Sequence, residues 1–339
     1  MIEEQIRAYL RSKLPQAHDL KILNFRRHTE GWSWETFSFD ARWQEDGREL
    51  CQGYVLRKEP ARAGVVGAYD TFAQFTVLKA LEDTPVAAPR VFWYELAREV
   101  LGAPFFVMEK VEGEIPLPWA EGERGPFADA AAQQSIAHQF VQHLAHLHTV
   151  DWRAKGLAFL GVPEPGQGAA LREIEKWQAQ LDRVELTPIP LLRRALLWLR
   201  EHAPLAPRVS IVHGDYRLGN FIVRAGRIVA ILDWELVHLG DPLEDLGWIC
   251  LRPWRGRSPY MASLIERAEL YRLYESLTGI NVPDEHIRFY EVLGNVKLAV
   301  VHLIAARVFE DGSNPDVRIA TMGHHYVFML KHLAELLGI

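Results

Sequence analysis

Apolar and polar residues alternate with a period of two across residues 21–27, 35–43 and 49–58, the pattern of strands that bury one face. In the second run Phe37, Phe39 and Ala41 share that face. Asp46-Gly47 separates the second run from the third, and Asp-Gly favours the positive dihedrals of a type I′ turn, so these runs are predicted to pair as a hairpin. Two further apolar runs, 90–94 and 105–110, follow Pro89 and Pro104 and predict two more strands. Between the two sets, Phe72, Phe75, Val77, Leu78 and Leu81 fall at helical spacing within residues 68–81. Residues 1–14 read as an amphipathic helix. Beyond residue 127 the period becomes helical, over 127–150, 169–184, 190–202, 260–278, 284–309 and 315–336. Within this region residues 209–234 interrupt the helices. A short apolar strand, 209–212, leads into a polar loop, and 221–224 with 228–232 form a hairpin across Ala225-Gly226-Arg227. Residues 114–127, rich in Pro, Gly and Glu, and residues 161–168 read as loops.

Composition narrows the class. A chain of 339 residues with 49% hydrophobic content has room for two lobes around substantial cores. With 44 acidic against 38 basic residues, a formal charge of -6, no chain-wide basic surface recruits nucleic acid. Cys51 and Cys250 are too few for a disulfide framework or a thiolate metal site, which predicts a reducing, cytoplasmic setting. The first residues, MIEEQIRAYLRSKL, mix acids and bases instead of forming a basic start and apolar core, and no later run is read as long enough to cross a membrane. His138, His143, His146 and His148 lack the further carboxylate or thiolate that would complete a metal site and are read as packing or surface residues.

The chemistry gathers in the interrupting segment. His213-Gly214-Asp215 follows a strand end, Asn220 comes five residues after the aspartate, and the hairpin folds Asp233 back towards the same loop. The spacing His-x-Asp-x-x-x-x-Asn is that of the protein-kinase catalytic loop, with Gly214 in place of arginine, and Asp233 falls where a metal-binding aspartate follows it. With Trp234-Glu235 and Gly240-Asp241-Pro242, these residues resemble the aminoglycoside phosphotransferase and choline kinase superfamily, whose signature is H-G-D-x-x-x-x-N followed by an apolar strand and I-D-W-E. The resemblance covers most of the chain. It implies a two-lobed α+β protein-kinase-like fold, with an N-terminal antiparallel sheet plus helix over 1–111 and a mostly helical catalytic and substrate-binding lobe over 112–339. It also implies transfer of the γ-phosphoryl group of ATP, or GTP, to a hydroxyl of a small molecule. Asp215 would accept the hydroxyl proton, Asn220 and Asp233 would hold Mg²⁺, His213 would support the loop, and Asp245 would cap or brace it.

The same resemblance assigns the nucleotide to the N-terminal residues. Thr29-Glu30-Gly31-Trp32-Ser33-Trp34 lies between the first two strands, where Ser33 and neighbouring amides would meet phosphate. The third strand ends Val55-Leu56-Arg57-Lys58; alternation puts Arg57 on the face of Val55, and Arg57 is the predicted phosphate clamp, with Lys58 kept as the alternative. Relatives carry a glutamate that braces this cation where Gln74 stands here, so the ion pair is in doubt. Glu109-Lys110-Val111 resembles the inter-lobe hinge, which implies adenine contacts to the Glu109 carbonyl and the Val111 N–H.

For the acceptor, Trp248, Arg252, Trp254, Arg255 and Arg257 cluster in sequence after the catalytic segment. Guanidinium groups pair with carboxylate or phosphate, so this patch predicts an anionic or partly apolar substrate, such as a hydroxy acid or hydroxyacyl compound. That matches the superfamily members fused to acyl-CoA dehydrogenases. The acidic Glu112, Glu114, Glu121 and Glu123 keep an aminoglycoside acceptor open. The alternative of another class is a nucleotide-binding pseudokinase scaffold, towards which only Gln74 and Arg57 lean.

Overall fold

The computed structural model describes residues 2–28, 34–60, 64, 69–117, 127, 129–256 and 258–339. The chain folds as two compact units, 1–82 with 89–112, and 83–88 with 113–339.

The first unit opens with α1 (Ile2–Lys13), then β1 (His18–His28), β2 (Glu35–Glu45), β3 (Arg48–Lys58), α2 (Thr71–Leu81), β4 (Val91–Glu95), α3 (Arg98–Leu101) and β5 (Phe105–Glu109). The strands form one antiparallel sheet in the order β1-β2-β3-β5-β4. The β2–β3 turn holds Asp46 and Gly47 at φ 50° and 74°, the type I′ geometry that Asp-Gly favours, with Glu45 opposite Arg48. One sheet face and α1 share a core of Phe37, Phe39, Tyr54, Leu56, Phe105 and Val107 with Ile6, Tyr9 and Leu10. Tyr9 meets Phe105 edge-on at 4.8 Å. Asp70 caps α2 by accepting from the Ala73 N–H at 2.8 Å.

The second unit is mostly helical: α4 (Ala130–Thr149), α5 (Gly168–Val184), α6 (Pro190–Glu201), β6 (Ser210–Val212), β7 (Phe221–Arg224), β8 (Arg227–Ile231), β9 (His238–Gly240), α7 (Leu243–Ile249), α8 (Arg267–Thr278), α9 (Asp284–Glu310), α10 (Val317–Met322) and α11 (Tyr326–Leu337). The axis of this unit is α9, 27 residues long, which packs against α5, α6, α7, α10 and α11. It is long and apolar enough to cross a membrane, at mean hydropathy 1.6, which corrects the expectation that no such run exists; it is the largely buried core helix of this unit.

Candidate active site

β6 delivers His213, Gly214 and Asp215 at its C-terminal end, and the chain then reaches Asn220 through a 3-10 turn over Leu218–Asn220. Gly214 sits at φ 82°, and a Cβ there would lie 2.7 Å from Leu236 Cβ and 2.8 Å from Leu236 O, so only glycine fits. The β7–β8 hairpin then turns on Ala225 and Gly226, both at positive φ, with Arg224 opposite Arg227. It returns Leu232 to the loop: the Leu232 N–H donates to Asn220 O at 2.7 Å, and Leu232 O is 3.0 Å from His213 Nε2. Asp233 follows in the left-handed region at φ 68°, a conformation unusual outside glycine and concentrated at functional sites.

Asp245, on α7, is wholly buried and braces the loop. Its Oδ2 accepts from the His213 N–H at 2.8 Å and its Oδ1 from the Gly214 N–H at 2.9 Å, while His148 Nε2 lies 3.1 Å from Oδ2. Burial pushes the acid's pKa up, but the bond to His148 and the nearby His213 prevail and hold it below the usual carboxylate range.

The carboxylate of Asp215 is densely contacted. Oδ1 accepts from Trp248 Nε1 at 2.9 Å and Arg217 Nε at 3.0 Å; Oδ2 accepts from Asn220 Nδ2 at 2.7 Å and lies 3.2 Å from Arg217 Nε. Burial raises its pKa above the usual range; Asp233 adds to the rise, and Arg217, His213 and Asn220 oppose it. With its amide N–H₂ turned to Asp215 O and Oδ2, Asn220 presents an Oδ1 that accepts no hydrogen bond among the described residues. An amide oxygen and the Asp233 carboxylate are the hard oxygen donors that a divalent cation such as Mg²⁺ takes, so the residues fit that ion.

In the first unit, Arg57 is half-buried with its guanidinium over the Trp34 ring at 5.2 Å, on the face opposite Tyr54 and Leu56. Lys58, the alternative phosphate ligand, is buried on the face of Tyr54 and Leu56 and pairs with Glu35 at 2.9 Å. Gln74 is buried, and its Oε1 accepts no hydrogen bond among the described residues, from Arg57 included. In the segment expected to be the hinge, the Glu109 N–H donates to Arg90 O at 2.8 Å and the Lys110 N–H to Gly53 O at 3.0 Å; the Val111 N–H donates to nothing among the described residues. Ser33 and Arg257 lie outside the described residues, as do Glu121 and Glu123.

The substrate patch is redistributed. Trp248 is buried and its N–H donates to Asp215, so it helps to hold that carboxylate. Trp254 packs on Trp248 at 5.4 Å, Arg252 is exposed, and Arg255 is half-buried near the Pro259 carbonyl at 3.5 Å.

The family model described as the phosphotransferase enzyme family matches residues 25–280. The chain belongs to that family. Among curated proteins, acyl-CoA dehydrogenase family member 11 of Gallus gallus is 29% identical over 329 residues, covering 92% of this chain and 40% of that protein. Member 10 of Mus musculus is 30% identical over 265 residues, covering 73% and 24%. This phosphotransferase therefore spans two fifths or less of the length of these two relatives. A solved structure from Ralstonia eutropha JMP134, provisionally named an aminoglycoside phosphotransferase, superposes at TM-score 0.75 and 27% identity, covering 98% of this chain and 97% of that one. The fold is the α+β protein-kinase-like one, and the family to which the chain belongs is one of phosphotransferases.

Arg217 and Trp248, the two contacts of Asp215 that the sequence reading did not assign to it, carried weak signals. Arg217 is two residues from Asp215, but a cation beside a motif is common; Trp248 arrives from a helix 33 positions away.

Proposed function

We propose that this phosphotransferase moves the γ-phosphoryl group of ATP, or GTP, to a hydroxyl of a small anionic molecule, a hydroxy acid or hydroxyacyl compound. The observation that carries the reading is the Asp215 carboxylate, held at a strand end by Trp248, Arg217 and Asn220, with the oxygen donors of Asn220 and Asp233 folded towards the same loop. In phosphoryl transfer the protein chiefly positions the nucleophile and stabilises charge. Asp215 orients the acceptor hydroxyl and takes its proton, and the rise in its pKa from burial makes it a better base. Asn220 and Asp233 hold Mg²⁺, which neutralises phosphate charge when bound. Arg57, supported on Trp34, offers a guanidinium to phosphate oxygens, and Glu109 O with the Val111 N–H offers the two hinge contacts to the base. Two things support the acceptor class. The exposed Arg252 and half-buried Arg255 suit an anion, and the curated relatives bear acyl-CoA dehydrogenase names.

The test is transfer from ATP, with Mg²⁺, to a panel of hydroxy acids, hydroxyacyl-CoAs and kanamycin-like amines, followed by mass spectrometry of the products. Asp215→Ala is expected to lower turnover by about 10²- to 10⁴-fold, the size of a general-base contribution, while the variant stays folded and still binds nucleotide. Near-normal turnover in that variant would remove Asp215 from the chemistry. Phosphorylation of the amines alone would overturn the acceptor class and leave the phosphotransfer intact.

A further inference from the structure

Arg217 stands beside the candidate base, and the mechanism above gives it no partner but Asp215. Its Nε donates to Asp215 at 3.0 and 3.2 Å. Its guanidinium lies over the Trp254 ring at 4.9 Å, Trp254 packs on Trp248 at 5.4 Å, and the Trp248 N–H closes the ring of contacts on Asp215 at 2.9 Å. The cation is thus fixed by one edge and one face. Of its five N–H donors only the one on Nε is used; the two terminal amino groups donate to nothing among the described residues, and the side chain is 21% exposed. An arginine serving only to neutralise Asp215 gains most by a two-bond fork onto the carboxylate. Here the terminal fork is held back, rigid and open to solvent, next to the atom that takes the acceptor's proton.

We propose that Arg217 binds a carboxylate or phosphate carried by the acceptor itself, a few bonds from the hydroxyl that is phosphorylated, and so sets the enzyme's preference for anionic over neutral alcohols. This rests on the phosphotransfer reading and sharpens it. A planar fork binds two anionic oxygens in parallel, so the preference is geometric. The Trp254 face holds the fork in place before the acceptor arrives, which lowers the ordering cost of binding. Because the fork and the base share one pair of contacts, an acceptor anchored on Arg217 brings its hydroxyl to Asp215; a neutral alcohol lacks that anchor.

The experiment pairs 2-, 3- and 4-hydroxyalkanoates with their neutral methyl esters. Calorimetric binding and kcat/KM are both measured on the wild type, Arg217→Gln and Arg217→Lys, with a melting curve for each variant. The wild type is expected to favour at least one acid over its ester by about 10- to 100-fold in Kd, the range of one charge-assisted contact. Arg217→Gln is expected to abolish that preference: loss of its contact with Asp215 lowers kcat on acid and ester alike, and the acid loses a further factor of about 10 to 100 in KM and Kd that the ester does not. Arg217→Lys, which keeps the charge and loses the fork, should fall between. Equal loss on acid and ester would place the fork on the transferring phosphoryl group or on the loop alone and overturn the proposal, as would the absence of any acid preference in the wild type. If the wild type transfers to no acceptor, the phosphotransfer reading fails, and the binding arm still decides whether Arg217 discriminates acid from ester.

Discussion

Asp215 owes its place to residues on both sides of it in sequence. Asp245 fixes the backbone of the loop by accepting two of its buried N–H groups, and Gly214 is the residue that lets the chain pass Leu236. Replacing Asp245 by Asn turns one acceptor into a donor that must face an N–H or His148. Asp245→Asn is therefore expected to cost roughly 1–3 kcal/mol and to lower turnover, because a buried donor is left without an acceptor and the loop shifts. Urea denaturation read beside kcat checks it; unchanged values in both would mean that water satisfies the loop amides. At this scale the sequence announced that Asp215, Asn220 and Asp233 would gather at one loop because their spacing is fixed by a strand end and a tight hairpin, both local devices. Trp248 and Arg217 escaped because their role arises from side-chain direction. The choice between Arg57 and Lys58 was open to strand alternation, but the Glu35 partner that occupies Lys58 comes from the neighbouring strand.

Among the elements, α5, β9, α7 and α9 meet at a buried ionic cluster that no sequence signal announced. Lys297 of α9 pairs with Glu173 of α5 at 2.8 Å and with Glu244 of α7; His238 of β9 lies 3.3 Å from Glu244, and the Trp177 N–H donates to Glu173 at 3.1 Å. Glu173, His238 and Glu244 could by spacing hold a metal ion, but the Lys297 ammonium already supplies the cation. Burial pushes both acids' pKa values up, and Lys297 outweighs it and holds them low. Lys297→Met should thus leave two buried carboxylates uncompensated and cost about 3–5 kcal/mol at neutral pH. The penalty should shrink on acidification as one carboxyl protonates, and adding Glu173→Gln and Glu244→Gln should recover part of it. A urea midpoint unchanged by Lys297→Met would show that the cluster is wet. Helical period revealed α5 and α6, whose apolar stripes face one core. It merged α10 with α11 across Gly323, and it ran residues 260–266 into α8, where a bridge between Met261 and Ile265 forms instead. It passed over α7 and β9, which are short and wholly buried, so neither shows alternation.

Across the whole molecule the split into two units was less legible. The segment 83–88 follows the first unit's helix yet belongs with the second: the Ala87 N–H meets His143 Nδ1 at 3.4 Å, Ala87 O accepts from the Ile231 N–H at 2.6 Å, and Asp83 pairs with Lys155. The histidine of α4 that meets this strap exposes a property of the entire fold. Burial lowers the pKa of His143 to about 4, and burial also lowers those of His213 and His302. An unfolded imidazole titrates near ~6.5, so as the pH falls below that value the unfolded chain binds protons that these folded side chains refuse. The sign follows: their contribution to stability is complete above about pH 6.5 and is lost as the pH falls towards 4, with a slope of up to about 1.4 kcal/mol per pH unit for each histidine fully engaged. Asp215, whose pKa is raised, opposes this by taking up a proton early in the folded state, but it is one group against several, His332 among them. The lowered carboxylates Glu173, Glu244 and Asp245 act in the same direction as the histidines, at more acidic pH. The urea midpoint, at constant m value, is therefore expected to fall between pH 7.5 and 5 while the carboxylates are still ionised. His143→Phe should flatten that fall by up to one proton's worth, and a midpoint that holds level over the range would show that these imidazoles reach water in the folded protein.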